Sequence, residues 1–241
     1  MGGKRACAVL ILGLALGGCA SGGAPATRGT PKDEAMSFDQ FGQTDFDRTV
    51  TIAMRQNLDT LATMMEKLYR RNPAQWRKSH MPDLATALAQ GRKAIDTGKV
   101  PPDLAGLSDI EVLSVALDPG YTGDRVRAFI LGLSSMIIQA HGGRTRFYAT
   151  DPLDAQHVYN AARNVETAAW MLATRRDAAG RPLLLSNQMS DDGARNLSFE
   201  REFGALIGRL DLIASLLDEN LRRVGINYVQ GLLLFNFLPV R

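Results

Sequence analysis

Two histidines, two arginines and a tyrosine lie close together in the segment AHGGRTRFYATDPLDAQH. They are His141, Arg144, Arg146, Tyr148 and His157. Arginines and the free N–H groups of a helix start bind anions, and histidine exchanges protons near neutral pH. With a helix predicted to start at Asp151, the pattern predicts a ligand site in a loop between two helices. The alternative is that His141 caps the preceding helix and the arginines are solvated.

Two acidic, glycine-containing segments, DPGYTGD and SDDG, invite comparison with calcium-binding loops. An EF-hand loop needs its turn glycine at position six and a bidentate glutamate at position twelve. With Gly123 or Gly193 as the turn glycine, position twelve is Phe129 or Phe199. Both segments are therefore interpreted as turns.

Other metal and hydrolase patterns are incomplete. Neither the Glu-x-x-His pattern of di-iron bundles nor a His-x-x-x-His pair occurs around His80, His141 or His157. The segment GLSSM around Ser134 lacks the last glycine of a nucleophile elbow and lies within a predicted helix. We expect no metal or other cofactor, and we expect Ser134 and Ser135 to allow close helix packing while bonding back to the preceding turn.

Apolar residues recur with a helical period over most of residues 38–241, which predicts a single all-α, bundle-like domain. The predicted helices span 45–71, 82–97, 108–118, 124–140, 151–177 and 198–223. The third of them starts with a capping box formed by Ser108 and Glu111. The fourth, containing AFILGLSSMIIQA, is apolar nearly all round and is predicted to be the central helix.

Three segments between or after these helices have less definite patterns. RTRFY at Arg144 and RPLLLSN at Arg181 are candidates for two short strands. The C-terminal INYVQGLLLFNFLPV is too short and too polar to span a membrane. It is predicted to form a buried closing helix, with an interfacial membrane contact as the alternative.

The N-terminus has a short positive start, Lys4 and Arg5, followed by an apolar run over residues 6–16. Such a run makes only about 16 Å of helix, roughly half of a bilayer core, and is typical of a secretory signal. The residues that follow, Leu16-Gly17-Gly18-Cys19, resemble the lipobox of bacterial lipoproteins. An ordinary export signal cleaved after Ala24-Pro25-Ala26 is the alternative.

The lipoprotein resemblance implies a signal peptide over residues 1–18 and lipid on Cys19. Residues 19–37 are rich in Gly, Ser, Ala, Pro and Thr, which predicts a flexible tether. In the Gram-negative family an aspartate after the cysteine commonly retains the protein at the inner membrane, so Ala20 implies the outer membrane. Residues 38–241 then form a helical domain facing the periplasm.

Processing at Cys19 changes the cysteine content and the charge. Cys7 would leave with the signal peptide, so the mature domain would have no free thiol and no disulfide. Loss of Lys4 and Arg5 leaves 26 basic against 25 acidic residues. A nearly neutral chain argues against nucleic acid as a partner.

Three functions follow as hypotheses. The leading one is a lipid-anchored, non-enzymatic binding or assembly module of the cell envelope, similar to uncharacterised proteobacterial lipoproteins, whose partners are the membrane and an envelope protein. The second is a carrier of an apolar ligand or lipid, since nine methionines and the apolar central helix could line a cavity. The third is a hydrolase with its site near His141 and His157.

Overall fold

The described part of the chain folds into seven helices within one compact unit, Asp39–Arg241. The computed structural model describes residues 42–107, 109–187 and 197–236, and for residues 109, 224, 225 and 227–236 it describes the backbone. The helices are α1 (Asp45–Arg71), α2 (Pro73–Lys78), α3 (Leu84–Thr97), α4 (Asp109–Ala116), α5 (Arg125–Ala140), α6 (Ala155–Thr174) and α7 (Ser198–Asn236). The predicted signal peptide 1–18, lipidated Cys19, tether 19–37 and cap Ser108 lie outside the described residues.

Helix α5 is the centre of the bundle, as predicted from its sequence. Thirteen of its sixteen residues are buried, and it packs against α1, α2, α3, α4 and α6. Arg125 at its first position is buried too, because its guanidinium donates to the carbonyl of Ala116 at the end of α4 and to those of Asp118 and Pro119 in the turn that follows. A helix that is apolar on every side therefore has neighbours on every side.

Small residues bring α5 close to two neighbouring helices. A Cβ added to Gly132 would lie 2.9 Å from a methyl carbon of Val112 on α4. The Ser134 hydroxyl donates to the carbonyl of Ile95 on α3 at 2.5 Å. The prediction that Ser134 bonds back to its own preceding turn was wrong. The Ile95 carbonyl lies in the last turn of α3, where carbonyls have no N–H partner within the helix, and the Ser134 hydroxyl supplies the missing donor.

The bounds of α1 were predicted correctly, and its start is fixed by a capping box between Thr44 and Asp47. Helix α3 ends at Gly98 as predicted, where the backbone has φ 62° and adopts a left-handed conformation that suits glycine. Its start was predicted at Pro82 but lies at Leu84. The Asp83 carboxylate accepts the N–H of Thr86 at 2.7 Å and so makes Asp83 the N-cap.

Neither predicted strand forms within the described residues. Around RTRFY, the backbone of Phe147 is held against the start of α1, since its N–H donates to Thr51 and its carbonyl accepts from Gln43. The segment RPLLLSN contributes only an isolated bridge between Arg176 and Pro182. Helix α6 also ends before the predicted Asp177, because Arg175 adopts an extended backbone.

Helix α7 is longer than predicted. It continues to Asn236 and so includes most of the segment predicted to be a separate closing helix. That segment contains Gly231 but no proline before Pro239, and single glycines are tolerated within a helix. The predicted burial of its side chains lies outside the described residues. Within the residues that are described, no helix combines the length and the apolar character needed to cross a membrane.

Helix α7 runs antiparallel to both α1 and α6, with polar pairs along each contact. Towards α1, Lys67 forms an ion pair with Glu202 at 2.7 Å, and the Arg209 guanidinium donates to Asn57 at 2.7 Å. Towards α6, Arg163 donates to both carboxylate oxygens of Asp211, at 2.8 and 2.7 Å. These pairs fix the register of the three helices.

Candidate functional site

His141 lies in the core at the C-terminus of α5 and is 1% exposed. Its ring packs against Phe147, and its Nδ1 lies 2.8 Å from the carbonyl of Ile137, an arrangement in which Nδ1–H donates. Burial lowers the pKa of His141 below its ordinary value, and the carbonyl of Ile137 opposes this shift only in part. His141 is therefore a neutral, buried helix-capping residue, which matches the alternative interpretation of the sequence.

Arg144, Tyr148 and Asp151 form a turn in the loop that follows. The Asp151 carboxylate accepts the backbone N–H of Tyr148 at 2.9 Å and forms an ion pair with Arg144 at 3.2 Å. Arg146 is exposed. The acid that was predicted to start the next helix thus stabilises the preceding turn.

Helix α6 begins at Ala155 rather than at the predicted Asp151. Asp154 is its N-cap, and its carboxylate accepts the N–H groups of Gln156 at 2.7 Å and His157 at 3.1 Å. The sequence had predicted that the N–H groups of a helix start at Asp151 would be available to an anion. A carboxylate of the chain itself already occupies the N–H groups of Gln156 and His157, so the helix start does not provide the anion site that was predicted.

The exposed His157 lines an open cleft of about 590 Å³ between the C-terminus of α5, the N-terminus of α6 and the middle of α7. The other lining residues are Ala140, Gly142, Pro152, Leu153, Asp154, Ala155, Gln156, Asp218 and Leu221. The cleft thus contains two carboxylates beside the single histidine, and His141 is not among its lining residues. The five predicted site residues are divided between the core, a turn and this cleft.

A buried polar cluster, which the sequence did not predict, lies at the opposite end of α5, around the N-cap Asp124. The Asp124 carboxylate caps α5 by accepting the N–H of Arg127 at 3.0 Å, and it also accepts the hydroxyls of Tyr69 at 2.7 Å and Ser79 at 2.9 Å. Burial and the neighbouring carboxylate raise the pKa of Tyr69 strongly. Tyr69 therefore stays protonated and donates, which joins α1 to the start of α5.

A surface formed by α6 and α7 was also not predicted from the sequence. Tyr159, Arg163 and Trp170 share one face of α6, and Trp170 is 62% exposed. Arg163 of α6 pairs with Asp211 of α7, and the two helices are antiparallel. Trp170, seven residues after Arg163, therefore lies beside Gly204, seven residues before Asp211. At both Gly204 and Gly208 an added Cβ would meet nothing within 4 Å. We call the surface of Tyr159, Arg163, Trp170, Gly204 and Gly208 the α6–α7 outer face.

The α6–α7 outer face could have been found from the sequence. Positions 159, 163, 166 and 170 follow the helical period, and the predicted inner face of Val158, Ala162 and Val165 excludes them. On α7, Gly204 and Gly208 are four residues apart and share one face. Within the described residues no group of acidic, histidine or cysteine side chains is arranged to hold a metal ion.

No protein-family model, no curated protein and no solved structure matches this chain.

Proposed function

We propose that this protein is a lipoprotein of the bacterial cell envelope, anchored through Cys19 to the outer membrane, and that its helical domain is a non-enzymatic binding or assembly module in the periplasm. The anchor is supported by Leu16-Gly17-Gly18-Cys19 directly after a short apolar run. Two or more acyl chains hold a protein on a membrane, whereas one alone exchanges.

The observation that carries the binding role is the α6–α7 outer face. Exposed aromatic side chains often supply most of the binding energy of an interface, and tryptophan is the most enriched of them. Trp170 is 62% exposed, and beside it Gly204 and Gly208 leave the α7 backbone uncovered. A partner helix could approach this backbone closely because glycine has no Cβ.

Polar groups on the same face would give such a partner its orientation. The Arg163–Asp211 ion pair lies between the two helices, with both side chains between one third and two fifths exposed. Arg163 also pairs with Glu166 at 3.1 Å and stacks over the Tyr159 ring. An aromatic centre with charged groups around it is the usual anatomy of a protein-binding patch.

The anchor is tested by fractionating cells that express the full chain. Cys19→Ala should move the protein from the membrane fraction to the soluble fraction or leave its leader uncleaved. Cys7→Ala is the matched control, since that cysteine lies within the proposed signal peptide and should not affect anchoring. Equal membrane association of both variants, with the leader removed from both, would contradict a lipid anchor at Cys19.

The binding role is tested by placing a photo-crosslinking amino acid at position 170 in intact cells. The control position is Ile110 of α4, which is 50% exposed and lies outside the α6–α7 outer face. We expect a discrete adduct with an envelope protein from position 170 and none from position 110. Identical adducts from both positions, or none from either, would contradict this face as the binding surface.

A further inference from the structure

The C-terminal part of α7 extends past the two helices that flank it. The Lys67–Glu202 and Asn57–Arg209 contacts set the register of the antiparallel helices α1 and α7. When this register is continued towards the start of α1, its first residue, Asp45, lies beside about Leu221 of α7. Both α1 and α6 therefore begin near Leu221. From there α7 continues for fifteen residues to Asn236, which is about 22 Å of helix.

The sequence of this α7 overhang, which we define as residues 222–236, is mostly apolar. No charged residue occurs between Val224 and Asn236, a stretch that reads VGINYVQGLLLFN. At its base Leu221 is 68% exposed, and within it Ile226 is 46% exposed. An apolar helix of this length is seldom left in water, because burying its surface is worth about 25 cal/mol per Å².

The chain also enters the domain at this end of the bundle. Gly42 lies three residues before Asp45, the first residue of α1, and α1 begins at the level where the α7 overhang extends past its neighbours. Cys19 lies 23 residues before Gly42. As the coil that their composition predicts, those residues have an end-to-end distance of about 26 Å, close to the length of the α7 overhang.

We propose that the α7 overhang lies in the interfacial region of the lipid bilayer, as a second contact beside the lipid on Cys19. This inference rests on the proposed anchor, which brings the membrane to the end of the bundle from which the overhang extends. Arg222 and Arg223, with side chains 67% and 71% exposed, stand directly before the apolar segment. Glu219 pairs with both arginines and Asp218 also interacts with Arg222, so these four side chains carry no net charge and the apolar segment itself would make the membrane contact.

The inference is tested with the lipidated protein in vesicles of phosphatidylethanolamine and phosphatidylglycerol. Once Cys19 carries lipid the mature chain has no free thiol, so Ile226→Cys can be labelled selectively with a fluorophore. Leu197→Cys is the matched control, because it is 59% exposed and precedes α7 at its other end. The two positions are separated by about 42 Å of helix.

Spin-labelled lipid should quench the fluorophore at position 226 about threefold more strongly than the one at position 197, because an interfacial helix lies 5–10 Å deep. Flotation of the same vesicles reports on the anchor separately. A chain that floats without preferential quenching at position 226 overturns this inference alone. A chain that does not float overturns the proposed anchor as well. Disulfide-linked dimers of unlabelled Ile226→Cys on vesicles would assign the overhang to a second copy and overturn the membrane contact.

Discussion

Asp124→Ala should destabilise the domain more than the loss of one helix cap. The carboxylate caps α5 through Arg127 and is the acceptor for the buried Tyr69 hydroxyl at 2.7 Å. Loss of the cap costs about 1 kcal/mol. A buried hydroxyl left without an acceptor costs about 1–3 kcal/mol more. The free energy of unfolding should therefore fall by about 2–4 kcal/mol.

Asp83→Ala is the matched control because Asp83 is also an aspartate N-cap, bonded to Thr86 at 2.7 Å, but it is exposed and caps only α3. We expect it to cost about 1 kcal/mol. Urea unfolding of residues 38–241 expressed without the signal peptide and Cys19, followed by circular dichroism at 222 nm, measures both variants. At a slope of about 3 kcal/mol per molar urea, the midpoint should fall by about 1 M for Asp124→Ala and about 0.3 M for Asp83→Ala.

A double-mutant cycle isolates the Tyr69–Asp124 contribution. In a Tyr69→Phe background no hydroxyl remains to be orphaned, so the cost of Asp124→Ala should decrease by about 1–2 kcal/mol. If Asp124→Ala and Asp83→Ala lower the urea midpoint equally, or if Tyr69→Phe leaves the cost of Asp124→Ala unchanged, the buried cluster does not join α1 to α5.

Two further predictions concern other buried polar groups. Ser134→Ala removes the bond to Ile95 and should lower the free energy of unfolding by about 1 kcal/mol, whereas Ser215→Ala on the exposed face of α7 should change it little. Burial lowers the pKa of His141 in the folded domain, so the unfolded chain takes up the proton first and stability should fall as the pH drops below about 6.5. His141→Phe should weaken this dependence, measured by urea unfolding at pH 7.5 and pH 5; an unchanged pH dependence in that variant would contradict the buried, neutral state of His141.

Local patterns in the sequence were sufficient for most of the bundle. The period of apolar residues gave the bounds of α1 and the central position of α5, and Gly98 marked the end of α3. These features depend on residues within a few positions of one another. Capping and amphipathicity, which cause these features, can therefore be recognised in a single sequence.

The start of α6 was predicted wrongly because two aspartates competed for the same role. Asp151 precedes a proline, which favours it as an N-cap. Its carboxylate instead accepts the N–H of Tyr148, and Asp154 caps the helix. Which carboxylate reaches which N–H depends on how Phe147 fixes the loop against α1, a contact between residues 96 positions apart.

The buried polar contacts could not be predicted from local patterns either, because they join residues that are far apart in the sequence. Tyr69 and Asp124 are 55 positions apart, and neither pattern alone indicates that they meet. Likewise His141 was grouped with His157 because they are near in sequence, but the turn between α5 and α6 leaves one in the core and the other at the surface. Proximity along the chain did not predict proximity of the side chains.

The N-terminal peptide of the protein purified from membranes tests the central claim most directly. We expect this peptide to begin at Cys19, and we expect its mass to include a diacylglyceryl group and an amide-linked acyl chain. Recovery of an unmodified chain that begins after Ala26, or of one that retains residues 1–18, would contradict the lipid anchor and with it the proposed place of this protein in the envelope.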